Sequence, residues 1–423
     1  MEPIRQCADY FHQNKGFHRL LSQIREKYEA LGRIGGFVRL EELNSTEIEA
    51  FSAFFRKSFT KSTEARISLA DFQKILDDSR FQGVSIPELL EAYFESPVIA
   101  NKDKQLQNAV AKNDFFIDIA LKYEGTKAEE WLLDIYTRKN NAYMTILGGY
   151  NESGDRLQKE LSAVCEAIVN LPFRKNRYRS LPVFAADITK DPHAFDVNTR
   201  TGRLLQYALA WLFSLNAPES PEEKAELYYH AGLMIDDLSN QVLCCGFEAY
   251  TDGCLHSGWS GFTGRWQPVS IPLAALSQVS RITTPKDEVL VVENPSIFNL
   301  MSDCCREKQI ALVCTLGQPN LAVYVLLDMA VKNGARLIYS GDLDPEGLLI
   351  ADRLKARYGD VLELKGYSTD TYLQFVSNVT LSASRIKKMN SIRDPDLQKV
   401  AQAIAETGKA AYQEAFLLHK QLF

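Results

Sequence analysis

The chain carries acidic residues directly after two of its apolar runs. Asp342 and Asp344 stand two residues apart behind residues 336–340, and Glu293 follows residues 288–292. Two carboxylates this close repel each other, and a divalent cation relieves the repulsion because it takes hard oxygen ligands. The three acids therefore predict a Mg²⁺ site, with Mn²⁺ as the alternative ion.

Regular secondary structure must bring these acids together. Pro345 suits the first position of a helix, and Asp344 just before it can cap the exposed amides. Helical segments separate four short apolar runs that predict strands, which are residues 288–292, 310–314, 336–340 and 361–364. This alternation predicts a parallel sheet with right-handed crossovers. Because such sheets bind ligands at the carboxyl ends of their strands, Glu293, the turn at Gly317 and the aspartates should share one edge.

The predicted edge suits phosphodiester hydrolysis. Asp342 and Asp344 would ligate the cation, and Glu293 would complete its shell or act as general base for the attacking water. Backbone amides of the turn at Gly317 and Gln318, which precedes a helix, can hold a phosphate oxygen. Glu346 can support the ligating acids from behind, but the favoured interpretation is a residue that faces solvent in the first turn of its helix. Glu414 is a further candidate ligand.

The combination of a lone glutamate after one strand with Asp-x-Asp-x-x-Gly after the third resembles the toprim domain of topoisomerases, primases and related nucleases. Two other interpretations of the same residues remain. The aspartates can be capping residues of an ordinary nucleotide-binding fold. A phosphatase of the haloacid type also uses Asp-x-Asp, but after the first strand of its sheet.

Composition and charge limit the function classes. The 423 residues have a net charge of −6, which argues against general coating of nucleic acid but leaves DNA open as a substrate. No apolar run approaches the roughly 20 residues that span a bilayer, and the N-terminus lacks a signal pattern. We therefore expect a cytoplasmic protein without a membrane partner.

One stretch, residues 173–179, concentrates positive charge around an aromatic residue. It contains four cations together with Tyr178, and these are Arg174, Lys175, Arg177 and Arg179. Such a pattern can follow a phosphate backbone, so we predict a DNA contact here. The alternative is a solvated connection between helices.

The order of motifs along the chain narrows the resemblance. The motifs are Leu31-Gly-Arg-Ile-Gly-Gly, Gly83-Val-Ser-Ile-Pro-Glu, Leu181-Pro-Val-Phe-Ala-Ala-Asp-Ile-Thr-Lys-Asp-Pro-His-Ala-Phe-Asp, Val292-Glu-Asn-Pro, Cys314-Thr-Leu-Gly-Gln-Pro and Gly341-Asp-Leu-Asp. Together they resemble JetD, the D-subunit family of the type II Wadjet anti-plasmid defence systems of bacteria. The resemblance implies a toprim nuclease domain that is related to the A subunit of topoisomerase VI. It further implies that this subunit cuts closed circular plasmid DNA. It also implies an SMC-type ATPase, a kleisin-like subunit and a small winged-helix subunit as partners.

The expected architecture is multidomain α/β and α+β. A mostly helical, winged-helix-like N-terminal region spans residues 1–180, and a connecting winged-helix-like domain spans 181–280. The toprim domain with its parallel sheet and C-terminal helices spans 281–423.

The sequence departs from the topoisomerase relatives in one respect. They carry a nucleophilic tyrosine before the toprim domain, whereas Tyr228, Tyr229 and Tyr250 stand in no matching motif. Hydrolysis by metal-activated water is therefore favoured over a covalent tyrosyl intermediate. A topoisomerase-like enzyme and a non-catalytic DNA-binding or assembly subunit are the alternatives.

The resemblance also implies an assembly with more than one active site. A double-strand break needs two such sites, and a two-fold homodimer is the commonest way to supply them. The aromatic stretch from Gly258 to Trp266 can bury at such a contact, or it can pack within its own chain.

Overall fold

The computed structural model describes residues 2–59, 64–175 and 177–418. Residues 419–423, the end of the predicted 281–423 domain, lie outside the described part. The chain forms two compact units, Met1–Lys122 and Tyr123–Phe423. The predicted three-part division at residues 180 and 280 stays a prediction.

The described residues of the first unit form six α-helices, a short 3-10 helix (Lys15–Phe17) and one antiparallel pair of strands. The strands are β1 (Phe37–Glu41) and β2 (Glu64–Ser68). The helices are α1 (Glu2–Gln13), α2 (His18–Leu31), α3 (Ser45–Phe55), α4 (Leu69–Asp77), α5 (Ile86–Phe94) and α6 (Asn101–Leu121). This arrangement is an α+β module, and its winged-helix character stays a prediction.

Local sequence explains where the helices of this unit begin. Asn44 caps α3, since its side chain accepts the Glu47 amide at 2.9 Å while the Glu47 carboxylate accepts the Asn44 amide at 3.0 Å. This reciprocal pair is a capping box.

The core of the first unit is aromatic, with the ring of Phe11 packed edge to face against that of Phe17 at a centroid distance of 4.9 Å. Apolar burial of this kind is the main stabilising term for a unit of this size.

The second unit contains the longer series of elements. Its helices are α7 (Lys127–Arg138), α8 (Asn141–Glu152), α9 (Gly154–Val169), α10 (Leu181–Thr189), α11 (Arg200–Phe213), α12 (Pro221–His230), α13 (Ser257–Gly264), α14 (Leu273–Leu276), α15 (Pro295–Lys308), α16 (Leu321–Lys332), α17 (Pro345–Tyr358), α18 (Thr369–Phe375), α19 (Ala383–Lys388), α20 (Pro395–Thr407) and α21 (Gln413–Leu418). Its strands are β3 (Arg179–Ser180), β4 (Leu233–Met234), β5 (Gln241–Cys245), β6 (Glu248–Thr251), β7 (Cys254–Leu255), β8 (Val269–Pro272), β9 (Arg281–Thr283), β10 (Glu288–Val292), β11 (Ala311–Cys314), β12 (Arg336–Ser340) and β13 (Leu362–Leu364). The chain as a whole is mostly helical.

A six-stranded sheet organises the second unit, in the order β13-β12-β10-β11-β5-β8. The four predicted strands are present as β10 to β13 and pair in parallel. The sheet is nevertheless mixed, because β5 and β8 extend it antiparallel beyond β11. The parallel pairing predicted for β10 to β13 was confirmed, whereas the antiparallel extension was not predicted, since pairing between β5 and β11 depends on contacts too distant in sequence to leave a local pattern.

Apolar residues fill both faces of this sheet. The residues of β10 and β11 are almost all buried, as near-continuous apolar runs are in parallel strands. Trp259 and Trp266 are also buried and belong to the same core. The aromatic stretch around them is largely the helix α13, so these two indoles pack within the chain, whereas Phe262 of the same helix is exposed. A dimer contact at this stretch stays a prediction.

No helix in the described part of the chain has both the length and the apolar character needed to cross a lipid bilayer.

Candidate functional site

Sheet register aligns the residues of the candidate site. Val292 at the end of β10 lies opposite Cys314 on one side and Ser340 on the other. The residues that follow these three positions therefore leave the sheet at one edge. Glu293 and Asp342 meet there, with the Asp342 amide donating to Glu293 Oε2 at 3.4 Å. The structure thus brings together two of the predicted carboxylates.

Glu293 is a buried acid in an environment that favours its neutral form. Only 9% of the residue's surface is exposed to solvent. Burial, followed by the negative charge of Asp342, raises its pKa to about 7. Within the described residues it has no ion-pair partner. A carboxyl with such a pKa exchanges its proton near neutral pH, as a general base requires.

Asp342 is anchored by the far end of the chain. The Gln413 amide at the start of α21 donates to Asp342 Oδ1 at 2.8 Å. Burial raises the pKa of Asp342, and the charges of Asp344 and Glu414 add to this effect against the Gln413 hydrogen bond. Asp342 therefore sits in an excess of negative charge that a cation would offset.

Asp344 is more fully engaged than the other two acids. Its Oδ1 accepts the Gly347 amide at 2.8 Å, which makes it the N-cap of α17 as predicted. Its Oδ2 accepts a hydrogen bond from Arg385 Nη2 at 2.6 Å. The two oxygens of Asp344 thus already serve a helix terminus and an ion pair.

Glu346 belongs to the same ion-pair network. Arg385 donates to its Oε2, with Nε at 2.9 Å, and Lys388 Nζ donates to Oε1 at 3.0 Å. The hydrogen bond from Arg385 is the main cause that holds the pKa of Glu346 below its usual value. Glu346 stands in the first turn of α17 as predicted and its side chain is partly exposed, but two cations of α19 lie against it and were not foreseen.

Glycine is required at two positions of the loop. A Cβ on Gly347 would approach the Asp342 carbonyl oxygen to 2.2 Å, so any larger residue would move the backbone that presents Asp342. A Cβ on Gly341 would lie 2.9 Å from Glu293 Oε2 and 2.7 Å from the Tyr339 hydroxyl. The glycines of this motif therefore allow the close approach of the strand end, the helix start and Glu293.

Several buried polar atoms near Glu293 make no well-formed hydrogen bond among the described residues, although the phenols of Tyr339 and Tyr367 lie close enough to interact. They are the hydroxyls of Tyr339, Ser340 and Tyr367 and the side-chain amide of Gln413. The rings of Tyr339 and Tyr367 stack with centroids 6.0 Å apart, and burial raises the pKa of both phenols well above the usual value. Buried groups without protein partners commonly take water or a ligand. Sequence reasoning missed this shell.

Two family models match this chain, one ending in β6 and the other beginning in β8. Residues 34–249, slightly more than half of the chain, match the model described as Protein of unknown function N-terminus (DUF3323). The chain belongs to the DUF3323 family. Residues 269–422 match the model described as Protein of unknown function C-terminus (DUF2399). No curated protein matches the sequence.

The DUF2399 region contains the three carboxylates and the turn that was predicted to bind phosphate. In that turn the Gly317 amide donates to the Glu293 carbonyl oxygen at 3.2 Å, and Gln318 Oε1 accepts from Arg353 at 3.0 Å. The turn is thereby tied to Glu293 on one side and to α17 on the other. Its role in holding phosphate stays a prediction.

The DUF2399 region also places Glu414 beside the site. Ser296, in the first turn of α15, donates to Glu414 Oε1 at 3.0 Å. The charge of Glu414 is one cause of the raised pKa of Asp342. This fourth acid joins the C-terminal helix α21 to the site.

The predicted DNA-contact stretch lies in the DUF3323 region. Arg179 Nη2 bonds Asp187 Oδ2 at 2.6 Å, and the Arg174 guanidinium lies over Phe173. The Tyr178 ring stacks on Tyr229 with centroids 4.5 Å apart. These contacts are local to β3, α10 and α12, and the predicted DNA role of Arg174, Lys175, Arg177 and Arg179 stays a prediction.

The three tyrosines considered as nucleophiles have other surroundings. Tyr228 is fully buried and its hydroxyl bonds the Gly202 carbonyl oxygen at 3.4 Å. Burial raises the pKa of Tyr228 and of Tyr229. Arg281 lies over the Tyr250 ring, 4.0 Å from its centroid. A buried phenol with a raised pKa makes a poor nucleophile.

The donor set at the DUF2399 edge suits a hard divalent cation. Glu293 and Asp342 supply carboxylate oxygens in adjacent positions, and their pKa values are raised first by burial and then by the neighbouring acids. Among residues 2–59, 64–175 and 177–418, however, no three His, Cys, Asp or Glu side chains are grouped closely enough to hold a metal ion. The interaction of Asp344 with Arg385 means that one of the three predicted ligand groups is already paired with a cation.

Proposed function

We propose that this protein is a Mg²⁺-dependent toprim endonuclease, the DNA-cleaving subunit of a bacterial SMC-type anti-plasmid defence complex. Its substrate would be closed circular double-stranded DNA, cut by phosphodiester hydrolysis in the cytoplasm. The pairing of DUF3323 with DUF2399 is typical of JetD and Wadjet-like proteins, and this supports the assignment. The partners would be the SMC-type ATPase, the kleisin-like subunit and the winged-helix subunit.

One observation carries the catalytic part of the proposal. A buried Glu293 and a half-buried Asp342 meet at the carboxyl edge of parallel strands without an ion-pair partner among the described residues. Burying such a pair is unfavourable unless a cation or proton compensates it. Such a pair lowers the stability of the fold, so a catalytic role explains its presence better than a structural one. Acids with perturbed pKa values in such positions are candidate catalytic groups.

Each side chain has a role that its contacts suit. Asp342 and Asp344 would hold the cation, which when bound supplies electrophilic polarisation of the phosphodiester. Glu293 Oε2 receives the Asp342 amide, so Oε1 is the oxygen that would accept a proton from the attacking water. The hydrogen bond from the Gln413 amide would keep Asp342 Oδ1 oriented.

The ion pair between Arg385 and Asp344 affects how this site would bind a cation. Asp344 Oδ1 caps α17, so Oδ2 is the oxygen best suited to a cation, and Arg385 occupies it. A cation and Arg385 would therefore compete for the same oxygen. Released from Asp344, Arg385 would retain Glu346 as its partner.

The same ion pair favours a second candidate function. A subunit whose Asp344 is permanently neutralised by Arg385 would bind DNA and partners without cutting. The topoisomerase-like alternative has less support, because the buried Tyr228 and the stacked Tyr229 lack the access that a nucleophile needs. For hydrolysis, a homodimer would supply the two sites needed for a double-strand break.

The Asp342→Asn substitution tests the endonuclease. We expect it to abolish Mg²⁺-dependent cleavage of circular DNA by the reconstituted complex and also to abolish thermal stabilisation of the isolated chain by Mn²⁺. Asp303→Asn is the matched control, because Asp303 is exposed on α15 and pairs only with its helical neighbour Arg306. Full cleavage by Asp342→Asn would refute the proposal. Cation-dependent stabilisation and DNA binding without any cleavage by the wild-type complex would favour the non-catalytic function.

A further inference from the structure

A basic cavity of about 800 Å³ lies between α17 and the segment that runs from α19 to Arg393. Four cationic side chains line it, and they are Arg353, Lys387, Lys388 and Arg393. We call this cavity the basic groove. It stands out in a chain whose net charge is −6.

The single carboxylate of the groove serves the backbone. Asp352 Oδ1 accepts the amides of Arg393 and Asp394 at 3.0 and 2.8 Å, and so fixes the loop before α20. Lys387 and Arg393 are exposed and have no ion-pair partner within the described residues. The positive charges of Lys387 and Arg393 are therefore available to an anionic ligand.

Hydrogen bonds connect the groove to the candidate site at two points. Lys388 Nζ reaches Glu346 Oε1 at 3.0 Å, and Glu346 stands in the first turn of α17. Arg353 Nη1 reaches Gln318 Oε1 at 3.0 Å, in the turn beside Glu293. A polyanion lying in the groove would thus extend toward the carboxylates along α17.

We propose that the basic groove binds the phosphodiester backbone of the DNA strand that enters the candidate site. This inference rests on the proposed function and names where its substrate is held. Its lining contains only two apolar side chains, Leu349 and Ala356, whereas protein interfaces bury an apolar core. Interfaces with nucleic acid are polar and strongly positive, which is the character of this surface.

The test removes three cations of the groove that do not touch the acids. The triple variant is Arg353→Gln, Lys387→Gln and Arg393→Gln. A matched control removes three exposed lysines at the opposite edge of the sheet, and it is Lys286→Gln, Lys308→Gln and Lys332→Gln. Binding of a short DNA duplex to each full-length chain is measured by fluorescence anisotropy in EDTA over a range of salt concentrations.

Counterion release sets the expected result. Each phosphate contact contributes about 0.9 to the slope of log K against log salt, so the groove variant should lose about 2 to 3 units of slope. The control variant should keep the wild-type slope. An unchanged slope in the groove variant, an equal loss in the control, or no DNA binding by the wild type would each overturn the inference.

Two further measurements distinguish DNA binding by the groove from binding of an acidic protein and from the endonuclease activity itself. Loss of poly-glutamate binding with unchanged DNA binding would assign the groove to an acidic protein and overturn the proposal. Asp342→Asn should keep the full slope while losing cleavage. If DNA binding depends on the groove but the wild-type complex never cleaves DNA, the inference about the groove holds and only the proposed endonuclease activity is refuted.

Discussion

Two buried glutamates, one in each unit, show how differently this chain uses the same side chain. Glu47 in α3 is 4% exposed and Glu293 after β10 is 9% exposed. Glu47 accepts the Asn44 amide at 3.0 Å and pairs with Arg19 at 3.0 Å. Among the residues that the structure describes, Glu293 has only the long hydrogen bond from the Asp342 amide and a carboxylate beside it. One acid is fully compensated within the protein, and the other is not.

The difference extends to the surroundings of each acid. Glu47 lies beside an aromatic core in which Phe51 packs edge to face against Phe55. Around Glu293, the hydroxyls of Tyr339 and Tyr367 make no well-formed hydrogen bond among the described residues and have only each other close by. A buried polar group with partners stabilises a fold, whereas one without them lowers stability until a ligand, proton or water supplies the missing interaction. The contrast therefore separates a structural acid from a candidate functional acid.

The largest expected effect is on cleavage. Glu293→Gln should reduce DNA cleavage by about 10² to 10⁴-fold, because it removes a group proposed as general base or cation ligand. Glu47→Gln should leave cleavage unchanged and lower the free energy of unfolding by about 1–3 kcal/mol, since it weakens a satisfied buried ion pair. Plasmid cleavage by the reconstituted complex and thermal melts of the isolated chain measure the two effects. Equal activity losses in both variants would break the comparison.

A smaller effect concerns pH. The pKa of Glu293 in the folded chain is about 7, above its ordinary value of 4.5. The folded state therefore holds this proton more tightly than the unfolded state, so the stabilising contribution is present below about pH 4.5 and is lost as pH rises through 7. The pKa difference corresponds to about 3 kcal/mol between pH 4.5 and 8.

Thermal melts in EDTA at pH 5 and pH 8 check this sign. The wild-type chain should lose more stability than Glu293→Gln over that interval, because the glutamine cannot titrate. Addition of Mg²⁺ should raise wild-type stability at pH 8. An identical pH dependence in the two chains would mean that Glu293 is compensated in solution, as Glu47 is.

The sequence allowed accurate prediction of what depends on local patterns. Short apolar runs located β10 to β13, and Asp344 followed by Pro345 predicted both the cap and the start of α17. The expectation that Glu293 and Asp342 meet at one edge was confirmed, because parallel pairing fixes where strands end. These features need only the period of a strand and the chemistry of a helix terminus.

Contacts between distant segments could not be predicted in the same way. Arg385 reaches Asp344 across 41 residues, and the Gln413 amide reaches Asp342 across 71 residues. Neither contact leaves a periodic signal, since each depends on how α19 and α21 pack after the sheet has formed. The antiparallel strand β5 was missed as part of the sheet for the same reason. The partly engaged state of the candidate site is therefore a property of the tertiary structure alone.

The smallest expected effect compares a satisfied and an unsatisfied polar group directly. Asn44→Ala removes the side chain that accepts the Glu47 amide at 2.9 Å, and loss of such a cap costs about 1 kcal/mol. Tyr367→Phe removes a buried hydroxyl that makes no well-formed hydrogen bond among the described residues and has only the Tyr339 phenol close to it, so metal-free stability should equal that of wild type or rise. Chemical denaturation in EDTA measures both variants against wild type. If Tyr367→Phe costs as much as Asn44→Ala, the hydroxyl has a partner in solution, and the polar shell around Glu293 is as complete as the capping box around Glu47.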